Sequence, residues 1–327
     1  MFRCCFLIFL SGFVYAAGIE DAPHFSREVA KHFRVNLYQN YFVGSPDAWE
    51  DFCSQPSGVM PEAGRRNPEV IVTMTSYPAR MPTICLAIES LMRQSVKPDR
   101  IVLNLFRGDF PDQKIPLSIE MQQKRGLEIN WCDENLKVYL KVIPATKKYP
   151  NAILIAADDD TIYPENRLEG LLNGHAEHPN AIVCTDGIRL TSASGKLLMD
   201  ASQWHFTGSQ QDLSPQADPS FTFMAQGVHG MLIPPNSFYP DFDHPEKFTD
   251  LCPTDDDSWL WAMAVANGTK TYKVARIGIC HESILGTQDI PTALHKANFA
   301  DNRASLTQYF SALRPYYQDR LFPLIRL

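Results

Sequence analysis

Apolar positions in this chain fall into runs and stripes with two different periods. Val70-Ile71-Val72-Thr73-Met74-Thr75 is a β-rich run, and Ser76-Tyr77-Pro78 ends it. Arg100-Ile101-Val102-Leu103-Asn104-Leu105 and Leu127-Glu128-Ile129-Asn130-Trp131 read as two further strands. Ala152-Ile153-Leu154-Ile155-Ala156-Ala157 has no polar face, which suits a central parallel strand covered by helices on both sides. Between the strands the period changes. Ile84, Ile88, Leu91 and Met92 share one helical face, with Pro82 near the first turn. Leu136, Tyr139, Leu140 and Ile143 predict a second amphipathic helix, bent or ended near Pro144. This β-α-β-β-α-β order predicts an α/β fold: a doubly wound, open, mostly parallel sheet with helices on both faces.

Ligands in such sheets bind beyond the carboxyl ends of the strands. The residues at those ends are Thr75-Ser76-Tyr77, Asp133 and Asp158-Asp159-Asp160. Three adjacent carboxylates repel one another unless a cation sits among them. Hard divalent ions take carboxylate oxygens and share coordination with substrate phosphates, so an acidic strand end can hold a metal and a diphosphate. A second run, Asp255-Asp256-Asp257, precedes Ser258 to Gly268, which reads as a short helix closed by Gly268. Acids at a helix start serve as caps or complement the dipole, for which one or two suffice. The functional alternative is a general base held at the helix start.

Together these features resemble glycosyltransferases with the GT-A fold, family 2-like, of the nucleotide-diphospho-sugar transferase superfamily. Residues 155–160, IAADDD, resemble their D-x-D motif. Thr254 to Trp259, TDDDSW, resembles their acceptor-side acidic motif before a helix. Gln226 to Pro235 resembles their glycine-containing loop and the strand after it. The resemblance spans roughly 69–285. It implies a metal-dependent transfer of a sugar from a nucleotide-diphosphate donor to an acceptor hydroxyl, inverting the anomeric carbon. Thr75, Ser76, Tyr77, Arg80, Asp133, Lys141, Asp158 and Asp159 would then hold the donor, with a UDP-sugar as the first candidate. Asp158, Asp160 and His281 would ligate Mn²⁺ or Mg²⁺. Gly227, His229, Gly230 and Asp255 would form the loop and acceptor side, and either Asp256 or Asp257 would be the base. The acceptor would be a glycan or glycolipid. Two departures from the pattern stand out: Asp where Glu is common in the acidic motif, and His229 where related loops have Gly.

Composition sharpens rather than changes this picture. The chain has 327 residues, 45% of them hydrophobic, enough to bury a large core. Its net charge is −7, which disfavours a nucleic-acid partner. Six of its aspartates form the two runs. Residues 1–17 place Arg3 before an apolar stretch from Cys4 to Ala17, with Val14-Tyr15-Ala16 as a small-residue cleavage pattern. That reads as a signal peptide or short anchor and places the chain in the secretory pathway or at a membrane, the cytoplasmic face being the alternative. Residues 18–67 read as an N-terminal extension, 68–285 as the transferase domain and 286–327, with a helix over Asn302–Arg314, as a helical extension. No C-x-x-C occurs, which disfavours a structural zinc site. A haloacid-dehalogenase-like phosphatase is disfavoured, because Ile162 stands where that motif needs Thr or Val. The other alternative is a non-catalytic glycan- or nucleotide-binding protein that keeps the fold.

Overall fold

The computed structural model describes residues 56–207, 215–275, 282–284, 287–288 and 294–325. The amino-terminal apolar stretch 1–17, the extension through residue 55 and His281 lie outside them. The first elements are β1 (Val70–Thr75), α1 (Ile84–Met92), β2 (Arg100–Phe106), α2 (Leu117–Gln123), β3 (Leu127–Cys132), α3 (Ile143–Lys148) and β4 (Ile153–Ala156). Then come β5 (Thr161–Ile162), α4 (Arg167–Glu177), β6 (Ile182–Cys184), β7 (Gly187–Arg189), β8 (His205–Phe206), β9 (Phe223–Ala225) and β10 (Met231–Ile233). The chain continues through α5 (Pro245–Leu251), α6 (Asp256–Asn267), β11 (Thr271–Lys273) and β12 (Glu282–Ser283). It ends in α7 (Leu294–Asn298), α8 (Ala304–Ala312) and α9 (Arg314–Ile325).

Seven strands form the central sheet in the order β11-β6-β10-β4-β1-β2-β3. Every neighbouring pair is parallel except those of β10, which runs antiparallel to both β4 and β6. The open, mostly parallel α/β sheet is therefore present. Successive strand residues point to opposite faces. Ile71, Leu154 and Ala156 enter one core with α6, α8 and α9, while Val70, Val72, Ile153 and Ile155 enter the other with α1 and α4. Burial on both faces explains why β4 carries no polar face.

Three local differences from the sequence pattern have physical causes. Helix α2 buries only Ile119 and Gln122, so it lacks an apolar stripe to betray it. The expected second helix is a 3-10 turn, Lys137–Lys141, followed by α3 with Pro144 in its first turn, where a missing N–H costs nothing. The helix expected over Asn302–Arg314 is α8, a further helix, α9, follows it, and both pack on α6. Trp259 and Trp261 on α6 are core residues, their indole N–H groups donating to Phe242 O and Phe221 O. Gly268 closes α6 at φ +87°, a left-handed conformation that favours glycine.

Helix α1 carries a charge into the core. Glu89 is fully buried, and Arg125 grips both of its oxygens at 2.7 and 3.2 Å, with Arg93 Nε at 2.8 Å from one of them. Burial alone would raise the Glu89 pKa, but the two guanidinium groups hold it below the usual carboxylate range. Arg125→Met takes one of these two guanidinium groups away from the buried charge. Urea unfolding should show a loss of about 3 kcal/mol, the lower end for a broken buried pair.

Candidate active site

Strand order reverses between β1 and β4: the chain proceeds from β1 through β2 to β3 on one side, then returns to β4 on the other. A crevice forms at such a switch point. Ser76 leaves β1 there and Asp158 to Asp160 leave β4. Because β10 is antiparallel, it starts at this same edge, so the 3-10 turn Gly227–His229 arrives there too. Helix α6 also begins there. The resulting cleft has a volume of about 660 Å³. Seven aspartates line it, Asp109 and the two runs, against three cationic side chains, Arg80, Lys137 and Lys141.

The two acid runs meet across Lys141. Its ammonium donates to Asp158 Oδ1 at 2.7 Å and lies 2.8 Å from Asp256 Oδ2. The second contact is an ion pair without aligned hydrogen-bond geometry, since Asp256 Oδ2 has no hydrogen-bond partner of its own. Burial alone would lower the Lys141 pKa, but Asp158, Asp256 and Asp257 hold it well above the ordinary value. Arg80 plays the matching part at the end of β4, donating to Asp160 Oδ2 at 2.7 Å. Gln288 donates to the same oxygen at 2.6 Å, and Ser76 donates to Asp159 Oδ2 at 2.5 Å.

A polar ladder anchors the turn that carries Lys141. Asn130 Nδ2 donates to Asn104 Oδ1, Asn104 Nδ2 to Thr73 Oγ1, and Thr73 Oγ1 to the Lys141 carbonyl, at 2.9, 3.0 and 2.7 Å. The ladder crosses β3, β2 and β1, and it gives partners to Asn130 and to the fully buried Asn104.

Gly227 closes the arrangement. Its N–H donates to Asp257 Oδ1 at 2.9 Å, and a Cβ at this position would lie 2.8 Å from Lys141 Nζ. Asp255 sits at the N-cap of α6. Ser258 is the group that most relieves its charge, yet no capping hydrogen bond of normal geometry forms. Burial and mutual repulsion push Asp255 up to about 6 and Asp257 well above the usual range. Asp256 is raised as well, by burial, with Lys141 opposing and Asp158 reinforcing the shift. Burial and Asp160 push Asp159 up to about 7.

Of the residues singled out in the sequence, Thr75, Ser76, Tyr77, Arg80, Lys141 and both aspartate runs line the cleft. Gly227 is outside the lining but bonds to Asp257, and three other described residues do not line it. Asp133 is exposed at the surface, where Arg107 Nε holds it at 2.8 Å. His229 turns into the protein, its Nδ1 3.6 Å from the buried Asp186 carboxylate. Gly230 adopts φ +83° behind the turn, beside Arg167 and Leu171, where its role is conformational. The structure adds Gln288 and an apolar wall from β7–β9 and α7–α8. Gln288 had no sequence signal, because it reaches Asp160 from 128 residues away.

An all-oxygen donor set suits a hard divalent cation. Among the described residues no group of three or more His, Cys, Asp or Glu side chains converges to hold one. The protein shell is thus partial, as it is where phosphate oxygens and water complete the coordination of such an ion. On charge and donor type the residues fit, with Asp158 and Asp160 the ones to hold the ion.

No family model and no curated protein matches the sequence. Among solved structures, the chain is similar to the mannosyltransferase PcManGT from Pyrobaculum calidifontis in complex with GDP-Man and Mn²⁺. The identity is 14% over 90% of this chain and 79% of that one, with a TM-score of 0.45. It is also similar to 4-diphosphocytidyl-2C-methyl-D-erythritolsynthase from Anaerococcus prevotii DSM 20548, with 13% identity over 71% and 98% and a TM-score of 0.42.

The raised Asp159 has a thermodynamic consequence. Its pKa rises from 3.8 to about 7 on folding, so ionising it costs stability progressively as pH rises through that window. Asp159→Asn should therefore raise the melting temperature of the ligand-free protein at pH 8. The gain should shrink as pH falls below about 7 and disappear near 3.8 in a series of thermal melts.

Proposed function

We propose that this chain is a metal-dependent glycosyltransferase that moves a sugar from a nucleotide-diphosphate donor to an acceptor hydroxyl, with inversion. The observation that carries this reading is the meeting of two acid runs across one buried ammonium, at the switch point of an open α/β sheet. The donor lies along Thr75, Ser76, Tyr77 and Arg80, with its diphosphate toward Asp158 to Asp160. A UDP-sugar is the first donor to try. Asp158 and Asp160 would hold Mn²⁺ or Mg²⁺, which would supply positive charge against the diphosphate. Arg80 and Gln288 hold the Asp160 carboxylate in place. Lys141 fixes Asp158 and Asp256 relative to each other and offsets part of the negative field on Asp257.

Two observations favour Asp257 over Asp256 as the base. Asp256 is buried and paired with Lys141. Asp257 is half-buried and lines the cleft, with Oδ1 fixed by the Gly227 N–H. Its raised pKa makes it the stronger base once ionised. We assign Asp257. Its carboxylate takes the proton of the acceptor hydroxyl while that oxygen bonds to the anomeric carbon. The bond from that carbon to the diphosphate breaks, and its electron pair leaves with the nucleoside diphosphate. Residues 1–17 are read as a signal peptide or anchor that places the site in the secretory pathway or at a membrane. No described helix is long and apolar enough to cross a membrane.

Two experiments test the reading. Thermal shifts with a panel of nucleotide sugars, with and without Mn²⁺, should single out one donor stabilised only when metal is present. Transfer from that donor should vanish with EDTA and in Asp160→Asn, and activity indifferent to both would contradict metal dependence. Asp257→Asn should lower kcat by about 10²–10⁴-fold while donor binding survives. If Asp257→Asn keeps full transfer, the base is another group. Metal-dependent donor binding without transfer to any acceptor would favour the non-catalytic binding protein.

A further inference from the structure

The cleft has two unlike sides. Opposite the acidic floor stands a wall whose accessible members are Phe206, Val228, Leu294 and Phe299, with Trp204 and Met224 buried behind them. The wall starts beside the proposed base, because Val228 follows Gly227, whose N–H holds Asp257. It ends at the cleft mouth, where Leu294 and Phe299 are 41% and 45% exposed. Only five large apolar side chains are this exposed among the described residues, and two of them are here. Soluble surfaces leave scattered apolar residues uncovered, but contiguous ones around a cleft mark a binding face.

The polar groups of Thr254, Asn298 and Trp204 at this end are bonded within the protein. Thr254 Oγ1 donates to Asn298 Oδ1 at 2.7 Å, and Asn298 Nδ2 donates back to Thr254 O at 3.0 Å. The Trp204 indole N–H donates to Leu198 O at 2.9 Å. A ligand covered in hydroxyls would bury them here without partners, at about 1–3 kcal/mol each. The lip is also preformed. Phe206 and Phe299 have ring centroids 5.7 Å apart, and the Arg303 guanidinium lies 4.3 and 5.1 Å from them. Arg303 is itself tied to Ala201 O at 3.0 Å.

We infer that the acceptor is a hydroxyl-bearing head joined to an aliphatic chain, and that the chain runs along this wall and out of the mouth. The inference rests on the transferase reading and narrows its acceptor. A compact aromatic aglycone would cover the inner wall but leave Leu294 and Phe299 bare, whereas an extended chain covers both ends. In the transfer step the head's O–H gives its proton to Asp257 and its oxygen to the anomeric carbon, as above, and the chain takes no part in the bonds that change.

Calorimetric titration of the full chain with methyl, phenyl and n-octyl glucoside tests this, with the octyl compound kept below its micelle concentration. The octyl compound should bind at least about tenfold more tightly than the other two, from burial of its methylene groups. The double variant Leu294→Ser, Phe299→Ser should bring the octyl-to-methyl ratio close to one. Both side chains are exposed, so neither change opens a cavity in the core. Octyl binding no tighter than methyl, phenyl binding equal to octyl, or an octyl preference unchanged in the double variant would each overturn the inference. The donor panel keeps the two readings apart. Metal-dependent donor binding without an octyl preference removes only the acceptor class. An octyl preference that disappears in the double variant, with no nucleotide sugar bound, removes the transferase reading.

Discussion

The cleft is organised by the burial of one ammonium among three carboxylates. Lys141 is almost fully buried, a state that disfavours its charge, and it stays charged because Asp158 and Asp256 reach it from two distant elements. The same contact restrains the acids. Without a cation between them, the end of β4 and the start of α6 would present repelling charges to each other. Coulomb attraction therefore fixes the distance between the two acid runs, and the loop at Gly227 passes close by, where a Cβ would crowd Lys141 Nζ. Removing one member of such a set leaves the others as uncompensated buried charge, which is far costlier than the set itself is stabilising.

The rest of the fold serves that contact. Thr73 and the two asparagines behind it hold the Lys141 backbone through a ladder across three strands. Antiparallel β10 delivers Gly227 to the same edge as the carboxyl ends of its neighbours. Trp259 and Trp261 root α6 in the core, so the acids at its start sit on a rigid element. Rigid support matters because a base misplaced by about 1 Å costs on the order of 10²-fold in rate.

Much of this could be read in the chain, and what was missed has physical reasons. Strands β1 to β4 and helix α1 were legible because their apolar residues keep one period and end in turn residues. Helix α2 was not, since two buried positions make no stripe. Both aspartate runs announced themselves through the repulsion that any fold must offset. Their meeting across Lys141 is a tertiary fact, set by sheet order. Asp133 shows the converse limit: it stands just past a strand end, but its side chain pairs with Arg107 at the surface instead of entering the cleft. His229 lies in the expected loop, yet the turn aims it at Asp186. The apolar wall was invisible because β7–β9 and the carboxyl-terminal helices contribute it in fragments.

On the proposed reading, the two acid runs form one nucleotide-diphosphate site joined through Lys141. Calorimetric titration of UDP, GDP, CDP and ADP in the presence of Mn²⁺, against the wild-type chain and Lys141→Met, addresses it most directly. One of these nucleotides should bind the wild type only when Mn²⁺ is present, and Lys141→Met should abolish this binding while the protein stays folded. Binding of that nucleotide to folded Lys141→Met with undiminished affinity, or no metal-dependent binding of any of the four to the wild type, would contradict it.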